Sequence, residues 1–233
     1  MLHAIVFDQV LAVVDQMPYM TPSPSYDTTC IANLKHLGAM EPWDDACWEL
    51  AKALGSYPTG ECLFDAFWRT LCFNTEHRGS EAPSDFKLGF QFWSTSFVSA
   101  NEVLRLMQPA MDLHPPNLWN LWNFWAMVKL GWKLELLSRQ IDGSQHFESA
   151  FFSFCAGRKF CTTTNGLMGW VPAAAEVGDS VCYFEACRMP FVIRKCGERY
   201  RIVGDSYIHG FMHEPVELLS FLSFSKFDLI TLV

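Results

Sequence analysis

At 233 residues the chain is long enough to bury a sizeable core, as one large domain or a small one docked on a larger. A formal net charge of −8, with no run of Lys and Arg longer than a pair, excludes a phosphate-tracking surface, so nucleic acid is not an expected partner. Half of the residues are hydrophobic, nine Trp and twenty Phe among them, and only 18% are charged, which excludes a disordered chain.

In chain order, residues 2–15 form a Val/Ile/Leu/Phe-rich stretch with Asp8 and Asp15 as its only charges, which predicts a strand buried on one face. Pro18, Pro22 and Pro24 then impose a loop. Asp27-Thr28-Thr29 offers an N-cap to a helix that ends near Gly38. A second helix is predicted over 41–54, stopped by Gly55, and a third from Pro58-Thr59-Gly60 to Leu71. Residues 86–107 predict one long helix, or two with a break near 94–99. Residues 118–137 carry Trp119, Trp122, Trp125 and Trp132 on one helical face, and Gly143-Ser144 separates them from a last helix ending at Gly157.

From 157 to 213 the pattern changes to short β-prone runs over 158–163, 167–171, 181–185, 190–195, 199–203 and 207–212, separated by turns. Asn165-Gly166 and Lys195-Cys196-Gly197-Glu198 supply the glycines that tight hairpins need. Five such strands can close into a small barrel. The fold expected is therefore α+β, a helical bundle packed on a small C-terminal antiparallel β-barrel that takes in the N-terminal strand. The chain reads as one domain, with a strand at 2–15, helices over 27–156, the barrel at 157–213 and a tail at 214–233.

Nine Cys are scattered without a CxxC pair, which points to reduced, mostly buried thiols and not to a disulfide framework or a zinc site. His209 and His213 are four apart, a ligand spacing only on a helix, and here they fall in a strand-to-turn context. No metal and no cofactor is expected. No basic n-region follows Met1, and Lys129, Lys133, Glu217, Lys226 and Asp228 interrupt the apolar stretches, so no membrane span is predicted and a cytoplasmic location is expected.

The ordered succession Gly157-Arg158-Lys159-Phe160, Gly166 to Pro172 (GLMGWVP), Gly178-Asp179-Ser180-Val181, Pro190 to Arg194 (PFVIR) and Tyr200 to Gly210 (YRIVGDSYIHG) resembles the C-terminal barrel of fungal heterokaryon-incompatibility (HET-type) proteins. Weaker echoes lie in residues 2–15 and in Ala66-Phe67-Trp68-Arg69-Thr70-Leu71. The effector domain that precedes this barrel in the family has no counterpart within these residues.

Nucleophile, phosphate and dinucleotide signatures (GxSxG, HExxH, a Walker loop, GxGxxG) do not occur. Two functions from different classes remain. The HET-like resemblance implies a non-catalytic interaction or regulatory module. It also extends to pericyclases, which implies a cofactor-free enzyme of fungal terpenoid secondary metabolism catalysing an intramolecular 4+2 (Diels–Alder) cyclisation of a small apolar, terpenoid-like substrate. Such a reaction needs only a shaped apolar cavity and a donor that polarises a carbonyl, so missing catalytic motifs are expected of it, and the cyclase is the leading expectation with the module as its alternative. Tyr207, His209 and Arg194 are the candidate donors, and Trp68, Trp93 and Trp122 the candidate walls. The competing roles are structural: His209 satisfied by a backbone carbonyl, Arg69 or Arg194 pinning elements together, and the indoles filling a core. A dry pocket with free donors would favour the enzyme, and a filled core with an exposed apolar patch the module.

Overall fold

The computed structural model describes residues 2–18, 31–76, 79–112, 121–185, 187–212 and 228–232, and these form four helices and one antiparallel sheet, an α+β fold. The elements are β1 (Leu2–Val13), α1 (Ile31–Lys52), α2 (Leu63–Leu71), α3 (Phe86–Asp112), α4 (Leu121–Phe154), β2 (Arg158–Thr163), β3 (Met168–Pro172), β4 (Ser180–Phe184), β5 (Phe191–Cys196), β6 (Arg199–Asp205), β7 (Tyr207–Ile208) and β8 (Asp228–Ile230). They divide into two compact units. One holds Met1–Met17, Ala46–Ala82 and Ala150–Val233, the other Pro18–Asp45 and Pro83–Ser149. The expected cap at 27–29, and the proline loop before it from residue 19 on, lie outside the described residues.

The sheet of the first unit is organised on β1. Ala4 to Gln9 pair with β4, Val10 to Val13 with β2, and the register shifts between Val6 and Asp8 and again between Val10 and Ala12. A bulge bends a strand and raises its twist, which lets one strand serve both halves of the sheet. Beside the first shift, the buried Asp8 ties β1 to the turn between β2 and β3. Its Oδ1 accepts from Gln9 N (2.8 Å), Asn165 N (3.1 Å) and the Thr164 hydroxyl (2.7 Å).

The strand order is β6-β5-β4-β1-β2-β3-β7, with β8 paired to the start of β1. The expected closed barrel is therefore corrected, because among the described residues no ladder joins the two edges. Those edges are nonetheless consecutive pieces of chain, β6 and β7, joined at the buried Ser206. β7 is only two residues long, shorter than the predicted run over 207–212. Gly210 at φ 89° turns the chain, and Phe211 N bonds back to Ile208 O. Within the stretch expected as a tail, the described residues include β8. Ile230 of β8 completes an apolar cluster with Ala4, Cys182, Phe184 and Ile193, and Tyr200 N of β6 bonds to Thr231 O. A second core is aromatic: Trp170 lies between Phe151 and Phe160 edge-on and Phe73 face-on, its Nε1 donating to Thr70 O at 2.9 Å.

In the second unit two expected helix breaks, at Gly38 and at Gly143, give way. Pro42 has no N–H, so the Gly38 carbonyl loses its partner in α1, and Asn101 Nδ2 of α3 supplies one at 2.9 Å. Gly38 itself admits this side chain: a Cβ there would lie 2.0 Å from Asn101 Oδ1. α1 thus runs through both residues. α4 likewise runs through Gly143, where a Cβ would meet the Phe92 ring at 2.4 Å. α3 is one helix across 94–99, since Thr95 and Ser96 hydroxyls donate to carbonyls of their own helix. The apolar core of this unit is Leu34, Ala100, Val103, Leu137 and Ile141, with Trp93 packed against Phe97 and Phe147.

Two buried acids of this unit, Asp44 and Glu148, titrate unusually high. Burial raises Glu148 to about 7; it raises Asp44 to about 6, against the opposing hydrogen bond from Ser94. An acid held above its unfolded value favours the folded state while protonated. Its contribution is complete near pH 4, fades as the pH rises through 6–7, and is absent above. Stability should therefore fall between pH 5 and pH 8. Glu148→Gln should raise it at pH 8 by on the order of 2 kcal/mol and leave it nearly unchanged at pH 4.5. Urea unfolding at both pH values checks this; an equal effect at both would show that Glu148 is not the titrating group.

Candidate functional site

β7 and the turn before α2 bring two of the predicted donors, Tyr207 and His209, into one polar cluster. The Tyr207 hydroxyl lies 3.0 Å from His209 Nδ1, and His209 Nε2 lies 2.9 Å from Glu61 Oε2. A carboxylate accepts only, so Nε2 carries a proton, and in the neutral ring Nδ1 is the acceptor to which Tyr207 donates. Burial pushes the Tyr207 phenol well above its usual value, which keeps it a neutral donor. The other oxygen of Glu61 faces Arg69 Nε at 3.0 Å, an ion pair whose angle falls short of a hydrogen bond. Arg69 NH1 donates to Asn74 Oδ1 at 2.9 Å, and the guanidinium stacks over Trp68 at 4.6 Å. The Tyr57 hydroxyl donates to His209 O (3.0 Å) and accepts from Met168 N (3.3 Å), which fixes the backbone of the histidine.

Local sequence places each part. α2 carries the adjacent Trp68 and Arg69, and past its C-cap Cys72 come Phe73 and Asn74, both left-handed at φ 58° and 47°. That conformation is uncommon for side chains with a Cβ and costs on the order of 1 kcal/mol each. It aims the Phe73 ring at Tyr207 (4.8 Å) and the Asn74 amide at Arg69 and Glu81. The line from Tyr207 through His209 to Glu61 has the order of a proton relay. Its donors are all directed at acceptors within the chain.

The remaining predicted residues lie elsewhere. Arg194 on β5 grips the buried Asp179 with Nε (2.7 Å) and NH2 (2.8 Å), and also Glu176 (2.8 Å) and Ala174 O (2.8 Å). Trp68 and Trp93 are each 1% exposed and belong to different units. Trp68 Nε1 donates to Asp65 at 3.0 Å. The side chain of Trp122, and all of Trp119 and His213, lie outside the described residues. Trp125 and Trp132 are exposed on α4, so this part of the ladder neither fills a core nor lines a cavity.

Glu61 and Tyr57 were missed by the sequence reading. They stand about 150 residues before His209, in a stretch read as a helix start, and a pairing across that separation leaves no local signal. Among the described residues no group of three or more His, Cys, Asp and Glu could hold a metal ion. Burial raises the thiols of Cys72, Cys155 and Cys182 to about 12, and Cys62, Cys187 and Cys196 are exposed. No described helix is long and apolar enough to cross a membrane.

No curated protein and no solved structure matches the chain. A family model does: residues 127–219 match the Het-6 beta-barrel domain, so that over its C-terminal region the chain is similar to the barrel region of HET-type proteins.

Proposed function

We propose that the chain is a non-catalytic, HET-like recognition module. The observation that carries this reading is the occupancy of its donors: Tyr207 on His209, His209 on Glu61, and Arg194 on Asp179, Glu176 and Ala174. A Diels–Alder catalyst gains most of its electrostatic advantage from a donor aimed at the substrate carbonyl, and a donor already bonded within the protein has to be released first. The buried rings support the same reading, because Trp93 is packed on Phe97 and Phe147 while Trp170 is enclosed by Phe73, Phe151 and Phe160.

One observation favours the cyclase as a second reading. The Tyr207 phenol is neutral, desolvated and bordered by the rings of Phe73 and His209, so a carbonyl that took the place of the imidazole would meet a strong donor in dry surroundings. The two readings separate in one assay. The full chain is incubated with a terpenoid-like polyene bearing a diene and an α,β-unsaturated carbonyl, and the 4+2 products are followed by chromatography. The rate and isomer ratio should equal those of the spontaneous reaction. An acceleration of about 10²-fold or more that Tyr207→Phe removes without unfolding the protein would overturn the module reading.

A further inference from the structure

We propose that the exposed face of α4 is a contact between two copies of this chain, packed antiparallel about a two-fold axis, a surface that the recognition-module reading does not use and that stands or falls apart from it. A surface helix carries one apolar stripe. The first half of α4 carries two. Leu130, Leu134, Leu137 and Ile141 pack on the core of their unit. On the opposite side, at i, i+3 and i+7, stand Trp125, Val128 and Trp132, exposed by 64%, 47% and 63%. Single exposed apolar residues are ordinary, whereas two exposed indoles in one line with a valine form a patch. The same spacing continues through Glu135 and Arg139, paired with each other at 3.1 Å and both mostly exposed. Positions 125, 128, 132, 135 and 139 thus make a seam of heptad spacing, apolar in its first half and charged in its second.

A seam of that polarity fits a copy of itself in one direction. Parallel copies would set Arg139 on Arg139 and Glu135 on Glu135. Antiparallel copies with Val128 opposite Trp132 form two identical apolar layers about the axis, and they bring the Glu135–Arg139 pair of each copy to Trp125 of the other. Helical side chains lean toward the N-terminus of their own helix, so Arg139 and the opposed Trp125 lean toward each other and the guanidinium meets the indole face. Lys133, which borders the seam, already pairs with Glu102 and lies 5.6 Å from the centre of the Trp132 ring, so it adds no uncompensated charge. A bilayer is the weaker fit, because Glu135 and Arg139 lie in line with the indoles, where an interfacial helix is apolar. The two indoles and Val128 offer on the order of 300 Å² per copy. With the stems of Glu135 and Arg139 the contact still stays below the roughly 1,200 Å² at which standard interfaces begin, so the dimer is expected to be weak and reversible.

Sedimentation equilibrium of the full chain, loaded from about 2 to about 200 μM, tests this. The expected result is a mass that rises with concentration from one chain toward two and no further, since a two-fold contact closes on itself. Trp132→Lys sets a lysine into each of the central layers and should raise the dissociation constant about tenfold or more, and Arg139→Ala should raise it by less. The indole of Trp132 is mostly exposed, so the fold should survive its loss, and circular dichroism confirms that each variant is folded. Val177→Lys, at an apolar residue 62% exposed in the other unit, should leave the dimer as it is. The proposal is overturned if the wild type stays monomeric at the highest concentration, if its mass climbs past two chains, if Trp132→Lys associates as the wild type does, or if Val177→Lys weakens the dimer as much. A monomer that binds phosphatidylcholine–phosphatidylserine vesicles, and loses them with Trp132→Lys, would give this face to lipid instead. Accelerated cyclisation would remove the module reading and leave this contact standing.

Discussion

Gly169→Ala is expected to cost about 3 kcal/mol or more, enough to lower the thermal midpoint by roughly 6–12 °C or to prevent folding. The added methyl group would lie 2.2 Å from Tyr207 O and 3.2 Å from Ile208 Cα, both backbone atoms of β7. β7 has no room to retreat. Gly169 and Trp170 pair with Ile208 and Tyr207, and His209 N bonds to Met168 O at 2.9 Å, so displacing the strand would break that ladder and the Tyr207–His209–Glu61 line together. Gly131→Ala is the control, since a Cβ there meets nothing within 4 Å and alanine is the better helix former. Its midpoint should stay level or rise. Near-ultraviolet circular dichroism reports on the buried Trp170. An unchanged midpoint for Gly169→Ala would mean that β7 is not clamped against β3.

Arg194→Ala should destabilise the fold by about 3 kcal/mol at pH 7, because it strands the Asp179 carboxylate, which is 4% exposed, without its cation. The backbone N–H of Glu176 still donates to Asp179 Oδ2 at 2.9 Å, which softens the loss. Denaturant unfolding at pH 7 measures it. A variant as stable as the wild type would leave Arg194 without the pinning role that its four hydrogen bonds imply.

Most strands were legible because alternation and turn glycines are local signals. The run read over 199–203 is β6 at Arg199–Asp205, and the hairpin glycine Gly197 has φ 62°. The same signals misled where glycine serves packing. Gly38 and Gly143 read as helix ends, yet each marks a point where a neighbouring side chain crosses a continuous helix, and nothing in the helix's own sequence announces Asn101 or Phe92. Pro42 is similar, since its missing donor is compensated 59 residues later along the chain, by Asn101. At the candidate site Tyr207 and His209 were legible as neighbours in an apolar run. Glu61, which orients the imidazole, and Asp179, which holds Arg194, are side-chain partners from other elements and surface only in three dimensions.

The central place of β1 has a further consequence, for how the protein comes to be folded. Val13 pairs with Cys161 and Ala4 with Phe184, so a strand made early has no partner until roughly 150 further residues have been synthesised. At about 5–20 residues per second that wait is on the order of ten seconds. Meanwhile Ile5, Phe7 and Val10, all buried in the finished sheet, are open to any other unpaired strand. Closing so long a loop also precedes any reward from the ladder, which is the condition for slow folding. The nascent chain is therefore most exposed to misassociation just before β4 emerges, and a chaperone that shields residues 2–13 until then would raise the yield without touching the stability of the native state.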